Sequence, residues 1–84
     1  MSLRIIWTEP AEQDVRRLDR TVARRVRQAV LRLAETGHGN VKRRQGQERE
    51  WRLRVGQWRV RFTMDVTHST LYVLRVLPRG RACR

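Results

Sequence analysis

The stretch Trp51-Arg52-Leu53-Arg54-Val55-Gly56-Gln57-Trp58-Arg59-Val60-Arg61-Phe62 decides the fold. On both sides of Gly56-Gln57 apolar residues alternate with arginine, the period of a strand with one buried face. A two-residue link with glycine first suits a type II′ hairpin turn. With Gly56 and Gln57 at the turn, Val55 faces Trp58, Arg54 faces Arg59, Leu53 faces Val60 and Arg52 faces Arg61. Four arginines then share one face in two directly opposed pairs. Trp51, Leu53, Val55, Trp58, Val60 and Phe62 occupy the other, ready to pack under helices. Opposed like charges destabilise a sheet, and two cations ~5 Å apart repel by roughly 1 kcal/mol even in a water-like dielectric. An anion above the pairs removes that penalty. A phosphate backbone fits, because guanidinium forks bind phosphate bidentately. The alternative is a solvated polar face with its arginines splayed into water.

Working outward, Asp65 to Ser69 reads as a second turn and Leu71 to Leu77 as a last strand ended by Pro78. Upstream, Ile5-Ile6-Trp7 reads as a first strand. Thr8 is expected to cap a helix whose first turn holds Glu9 and Pro10. Ala11, Val15, Leu18, Val22, Val26, Ala29, Val30 and Leu33 form one helical stripe. Asp19-Arg20-Thr21 breaks the stripe into two helices, with Asp19 or Thr21 capping the second, and Gly37 and Gly39 end it. The order is strand, two-helix hairpin, then a three-strand antiparallel meander. That predicts a single α+β domain over residues 1–84, with helices on one face of a small, mostly antiparallel sheet.

Charge points to the partner. Twenty Lys+Arg against eight Asp+Glu give a formal +12, and every one of the twenty except Lys42 is arginine. A coding bias toward arginine accounts for arginine over lysine, but not for the excess of cations over anions. Such an excess calls for a polyanion: nucleic acid, an acidic protein or a membrane surface. No apolar run approaches a membrane span, and Met1 to Trp7 lacks the pattern of a signal peptide, so a cytoplasmic protein without a membrane partner is expected. The single cysteine, Cys83, excludes a disulfide framework and a thiolate zinc site. No carboxylate pair, Ser/His/Asp order or phosphate-binding glycine loop is present, and the sequence calls for no metal and no cofactor.

The other cations are weaker signals. Lys42, Arg43, Arg44 and Arg49 precede the hairpin. Arg75 and Arg79 flank the end of the last strand, and Arg81 and Arg84 follow. The helical arginines, Arg16, Arg17, Arg20, Arg24, Arg25, Arg27 and Arg32, lie mostly opposite the apolar stripe and read as solvated surface. His38 and His68 fall in loops.

Residues 51–62 resemble the "W/Y-R-L-R-V-G-x-Y-R-V-x-Y" core of the RelE/ParE toxin superfamily. Leu71-Tyr72-Val73-Leu74-Arg75-Val76-Leu77-Pro78-Arg79 resembles its last strand, and Val41-Lys42-Arg43-Arg44-Gln45-Gly46 its "V-K-x-L-x-G" segment, with Arg44 where leucine is common. The start, Ile5-Ile6-Trp7-Thr8 with its two helices, also matches. The resemblance implies the toxin of a type II toxin–antitoxin system, held inactive by a cognate antitoxin. In the RelE-like branch the toxin cleaves mRNA in the ribosomal A site: the 2′-OH attacks the adjacent phosphate while basic residues offset the developing charge. It implies catalytic roles for Arg54, Arg59 and Arg79, with Arg59 at the scissile phosphate. Arg52 and Arg54 take the positions of the family's basic pair. Arg52, Arg54, Arg61, Lys42, Arg43 and Arg75 form the expected RNA-binding set.

Departures from the pattern leave acid and base unassigned. Guanidinium does not titrate in a protein, so Arg52 and Arg54 cannot do what a lysine of the basic pair does. Pro78 stands where a histidine is frequent, and the sequence reaches Arg84 without the tyrosine often found further on. His38 falls roughly where another branch carries a glutamate base and is the candidate base here. General acid–base catalysis contributes about 10²–10⁴-fold, so its loss would leave a weak nuclease or none. The opposed arginine pairs favour a ribosome-dependent endoribonuclease. The missing histidine and tyrosine favour a ParE-like inhibitor of DNA gyrase acting through protein contacts. A degenerate member that binds only nucleic acid or antitoxin is the third possibility.

Overall fold

Gly56 turns the chain with φ +58°, while no non-glycine residue but Ser69 has positive φ among the described residues. One positive φ, at the first turn position, is the signature of the expected II′ turn. The computed structural model describes residues 2–43 and 49–82. Its elements are β1 (Arg4–Trp7), α1 (Glu9–Arg16), α2 (Arg20–Thr36), β2 (Val41–Arg43), β3 (Trp51–Val55), β4 (Trp58–Asp65), β5 (Thr70–Pro78) and the four-residue α3 (Arg79–Ala82). The side chains of Arg43, Arg81 and Ala82 lie outside the description, as do Arg44, Cys83 and Arg84 entirely.

The strand order is β1-β5-β4-β3-β2, with β1 parallel to β5 and the other pairs antiparallel. The β3–β4 register pairs Arg54 with Arg59 and Arg52 with Arg61, residue for residue as the turn requires. Apart from the short α3, the α+β architecture is the one expected, with two additions to the sheet. At three residues β2 is too short to show a period, and its pairing to β3 defines it. The second addition is a bulge: Arg61 pairs with Arg75, but Phe62 pairs with Val73, leaving Leu74 extra in β5. Val73 and Val76, an odd number of residues apart, would face opposite sides of a regular strand. The bulge turns both inward, where they are 0% and 2% exposed.

The helices cover one face. Ala11, Val15, Val26, Val30 and Leu33 meet Leu53, Val60, Phe62, Leu71, Val73 and Val76 in a single core, with Trp7, Trp51, Val55 and Trp58 packed at its margin. Each Val, Leu and Phe of that core contributes about 1.5–3 kcal/mol when fully buried. Asp19 caps α2, its carboxylate accepting from the Thr21 N–H. Thr8 stands at the N-cap of α1 as expected, but its side chain makes no capping hydrogen bond. Its hydroxyl donates instead to the Val73 and Leu74 carbonyls, at 2.8 and 3.2 Å. The reason is that β1 pairs with β5 only as far as Trp7↔Val73, and the strand beyond needs other partners. No helix among the described residues is long and apolar enough to cross a membrane.

A candidate nucleic-acid interface

The face opposite the helices carries a concavity of about 430 Å³ lined by Asn40, Lys42, Arg52, Arg54, Arg59 and Arg79. Backbone hydrogen bonds bring these residues together from four segments. The Arg54 N–H donates to the Asn40 carbonyl at 2.8 Å, and the Arg79 N–H to the Gln57 carbonyl at 2.9 Å. Lys42 stands opposite Arg52 in the β2–β3 ladder. Gly39 sets the approach of the preceding loop, because a Cβ there would sit 2.9 Å from Leu53 Cδ1. The absence of that atom lets Asn40 reach β3.

Arg59 is held rather than splayed. Its Nη1 donates to the Gly56 and Trp58 carbonyls, both at 2.9 Å, which ties the guanidinium to the turn. Lys42, Arg54 and Arg79 have no carboxylate partner among the described residues. Among the described residues, five cations and one amide therefore surround a volume that no acidic side chain lines.

Two expected members of the set lie elsewhere. The ladder aligns Lys42, Arg52, Arg61 and Arg75 in one row across four strands. Arg61 donates to Glu50 from Nε and Nη2, at 3.2 and 2.8 Å. Arg75 donates to Asp14 from Nε and Nη2, at 2.8 and 3.1 Å. Neither lines the concavity. Carboxylates thus neutralise the β4–β5 end of the row, while its β2–β3 end faces the opening. The Asp14 carboxylate also accepts from the Val76 N–H at 2.9 Å. Burial pushes its pKa up, but the bonds from Arg75 and Val76 and the charges of Arg75 and Arg17 outweigh that and hold it below the ordinary carboxylate value.

His38 is exposed in the loop after α2 and does not line the concavity; its N–H donates to the Thr36 hydroxyl. His68 lies in the β4–β5 turn, 2.7 Å from Asp65. Its hydrogen bond holds the Asp65 carboxyl below the ordinary value. Sequence reasoning missed Asp14, Glu50 and Asn40. Asp14 carried a signal: it interrupts the apolar stripe between Ala11 and Val15, where a carboxylate needs a cationic partner. Glu50 and Asn40 carried none.

An arginine-lined sheet backed by two helices defines a small α+β domain with a cationic concavity on its open face. A family model described as the ParE toxin of type II toxin–antitoxin systems matches residues 5–83, and the chain belongs to that family, within the RelE/ParE superfamily. Solved structures agree on the fold. RelE in the archaeal RelE–RelB complex of Pyrococcus horikoshii superposes with a TM-score of 0.80 at 21% identity, covering 96% of this chain and 99% of that one. The RelB–RelE antitoxin–toxin complex of Methanococcus jannaschii gives 0.73 at 17%, covering 92% and 93%. A mutant E. coli toxin RelE in the free state gives 0.77 at 18%, covering 98% and 87%. No curated protein sequence matches the chain at a significant level.

Proposed function

We propose that this toxin is a ribosome-dependent mRNA endoribonuclease whose concavity holds the RNA backbone at the scissile phosphate. The observation that carries the reading is the convergence of Lys42, Arg52, Arg54, Arg59 and Arg79 on one volume that no acidic side chain among the described residues lines. In the reaction the 2′-oxygen bonds to the adjacent phosphorus, the P–O5′ bond breaks, and a cyclic phosphate forms. Negative charge builds on the phosphoryl oxygens. Guanidinium groups already oriented at that charge stabilise the transition state without reorganising, and Arg59 is oriented by the turn carbonyls. Among the described lining side chains only Lys42 can hand over a proton, so it serves as the acid for the leaving 5′-oxygen. The 2′-OH proton passes to water, or to His38 if the loop carries it to the site.

A cognate antitoxin is the second partner. The solved neighbours in P. horikoshii and M. jannaschii are toxin–antitoxin complexes. A charge of +12 on 84 residues suits a partner with an acidic, amphipathic segment.

The test is cleavage of ribosome-bound mRNA. Arg59→Lys and Arg79→Lys should lose cleavage while keeping ribosome binding, since an ammonium does not replace a bidentate fork. His38→Ala should shift the pH profile if His38 is the base. The family match to ParE toxins supports the competing reading, inhibition of DNA gyrase through protein contacts. Growth arrest with filamentation and an SOS response, and no A-site cleavage by the wild type, would replace the nuclease reading with that one.

A further inference from the structure

Two guanidinium groups converge on Gly56 from opposite sides of the sheet. Arg59, on the cationic face, donates to the Gly56 carbonyl at 2.9 Å. Arg25 belongs to α2, on the core face, and its Nη2 lies 3.3 Å from where a Cβ on Gly56 would stand. The hairpin tip therefore does not end the basic surface; it joins the concavity to the helix. Arg25 is exposed and has no carboxylate partner among the described residues. Its helical neighbour Arg27 is differently placed, 3.8 Å from Glu12 and stacked over Trp7 at 5.1 Å. On the row of α2 that Arg25 begins, Gln28 and Arg32 follow at i+3 and i+7, both exposed, and α2 holds no acidic residue before Glu35.

We infer that single-stranded RNA leaving the concavity rounds the β3–β4 turn at Gly56 and is held by Arg25 on α2, a second phosphate-binding stretch outside the proposed catalytic cleft. The inference rests on the RNA-binding reading above and extends it. It separates Arg25 from the solvated cations of α2, and the separating feature is geometric. Arg25 is packed over the turn that also anchors Arg59, so a backbone seated on Arg59 meets Arg25 next. Arg24, adjacent in sequence and also exposed, is not among the side chains within 4 Å of a Cβ on Gly56.

The experiment measures fluorescence anisotropy of labelled 2′-O-methyl RNA against salt. The oligonucleotides are about 4 and about 12 nucleotides long, within the range of single-strand site sizes. The slope of log K against log salt is about −0.7 per neutralised phosphate. Arg54→Ala should flatten the slope by roughly 0.7 on both lengths. Arg25→Ala should flatten it by the same amount on the long strand and leave the short one unchanged. Arg24→Ala should alter neither, and all three variants should keep the wild-type melting temperature. An Arg54 effect without an Arg25 effect on the long strand overturns the track and leaves the cleft reading standing. Equal losses from Arg24→Ala and Arg25→Ala overturn it in favour of diffuse charge. No effect of Arg54→Ala, or no wild-type binding at low salt, removes the RNA reading and the track with it.

Discussion

Asp14→Ala should be among the most destabilising single changes in this domain, although Asp14 touches no part of the proposed cleft. The carboxylate is 8% exposed and accepts three hydrogen bonds, two from Arg75 and one from the Val76 N–H. Alanine leaves the Val76 N–H, on a residue 2% exposed, without an acceptor on the part of β5 that β1 does not reach. An unsatisfied buried donor costs about 1–3 kcal/mol. Breaking a fully buried ion pair costs about 3–5 kcal/mol, but the Arg75 side chain is 41% exposed and recovers water, so that term falls toward the surface value of about 0–1. The sum is about 1–4 kcal/mol, or roughly 4–30 °C in Tm for a domain of this size. The sign with pH follows from the depressed carboxyl pKa. The contribution is fully present above the unfolded carboxyl pKa of about 3.9 and is lost as pH falls through the lower folded value. Urea unfolding followed by tryptophan fluorescence should therefore show a wild-type advantage at pH 7 that shrinks below about pH 4. Asp14→Asn keeps an acceptor for Val76 but loses the charge toward Arg75, and should fall between the two. A difference under about 0.5 kcal/mol at pH 7, the usual range for surface changes, or one that does not change down to pH 3, would refute the argument.

Lys42→Ala and Lys42→Arg separate charge from proton transfer: arginine should restore RNA binding but not single-turnover cleavage of ribosome-bound mRNA, and full activity in Lys42→Arg would remove Lys42 as the acid. Gly56→Val should destabilise by about 1–2 kcal/mol, because a β-branched residue at φ +58° is strained, and it should weaken long-strand RNA binding by crowding Arg25; an unchanged urea midpoint would show that the turn relaxes freely. A cognate antitoxin present at 100 times its Kd should raise stability by about 2.7 kcal/mol, read as a concentration-dependent Tm; a Tm that ignores the neighbouring gene product would exclude that product as the partner.

The hairpin was legible in the sequence because its information is local. Alternation assigns each side chain to a face, and a two-residue turn leaves one register, so the opposed arginine pairs follow without any tertiary contact. The helical stripe and the α+β class are local in the same way, being periodicities of 3.6 and 2. What the sequence could not order was which cations meet. Arg61 and Arg75 look equivalent to Arg52 and Arg54 along the chain, yet Glu50 and Asp14 hold the first two while the second two line the concavity with Lys42 and Arg79. That sorting depends on residues 11 and 61 positions apart in sequence, and on α1 taking over beside β5 where β1 ends. The bulge at Leu74 is equally invisible to a strict period of two. It exists because Val73 and Val76 gain more by facing one core than a regular ladder would return. Local pattern thus determined the faces of this protein. Long-range pairing decided which of its cations fold against Glu50 and Asp14 and which line the concavity, because a charge's environment is set by what folds against it.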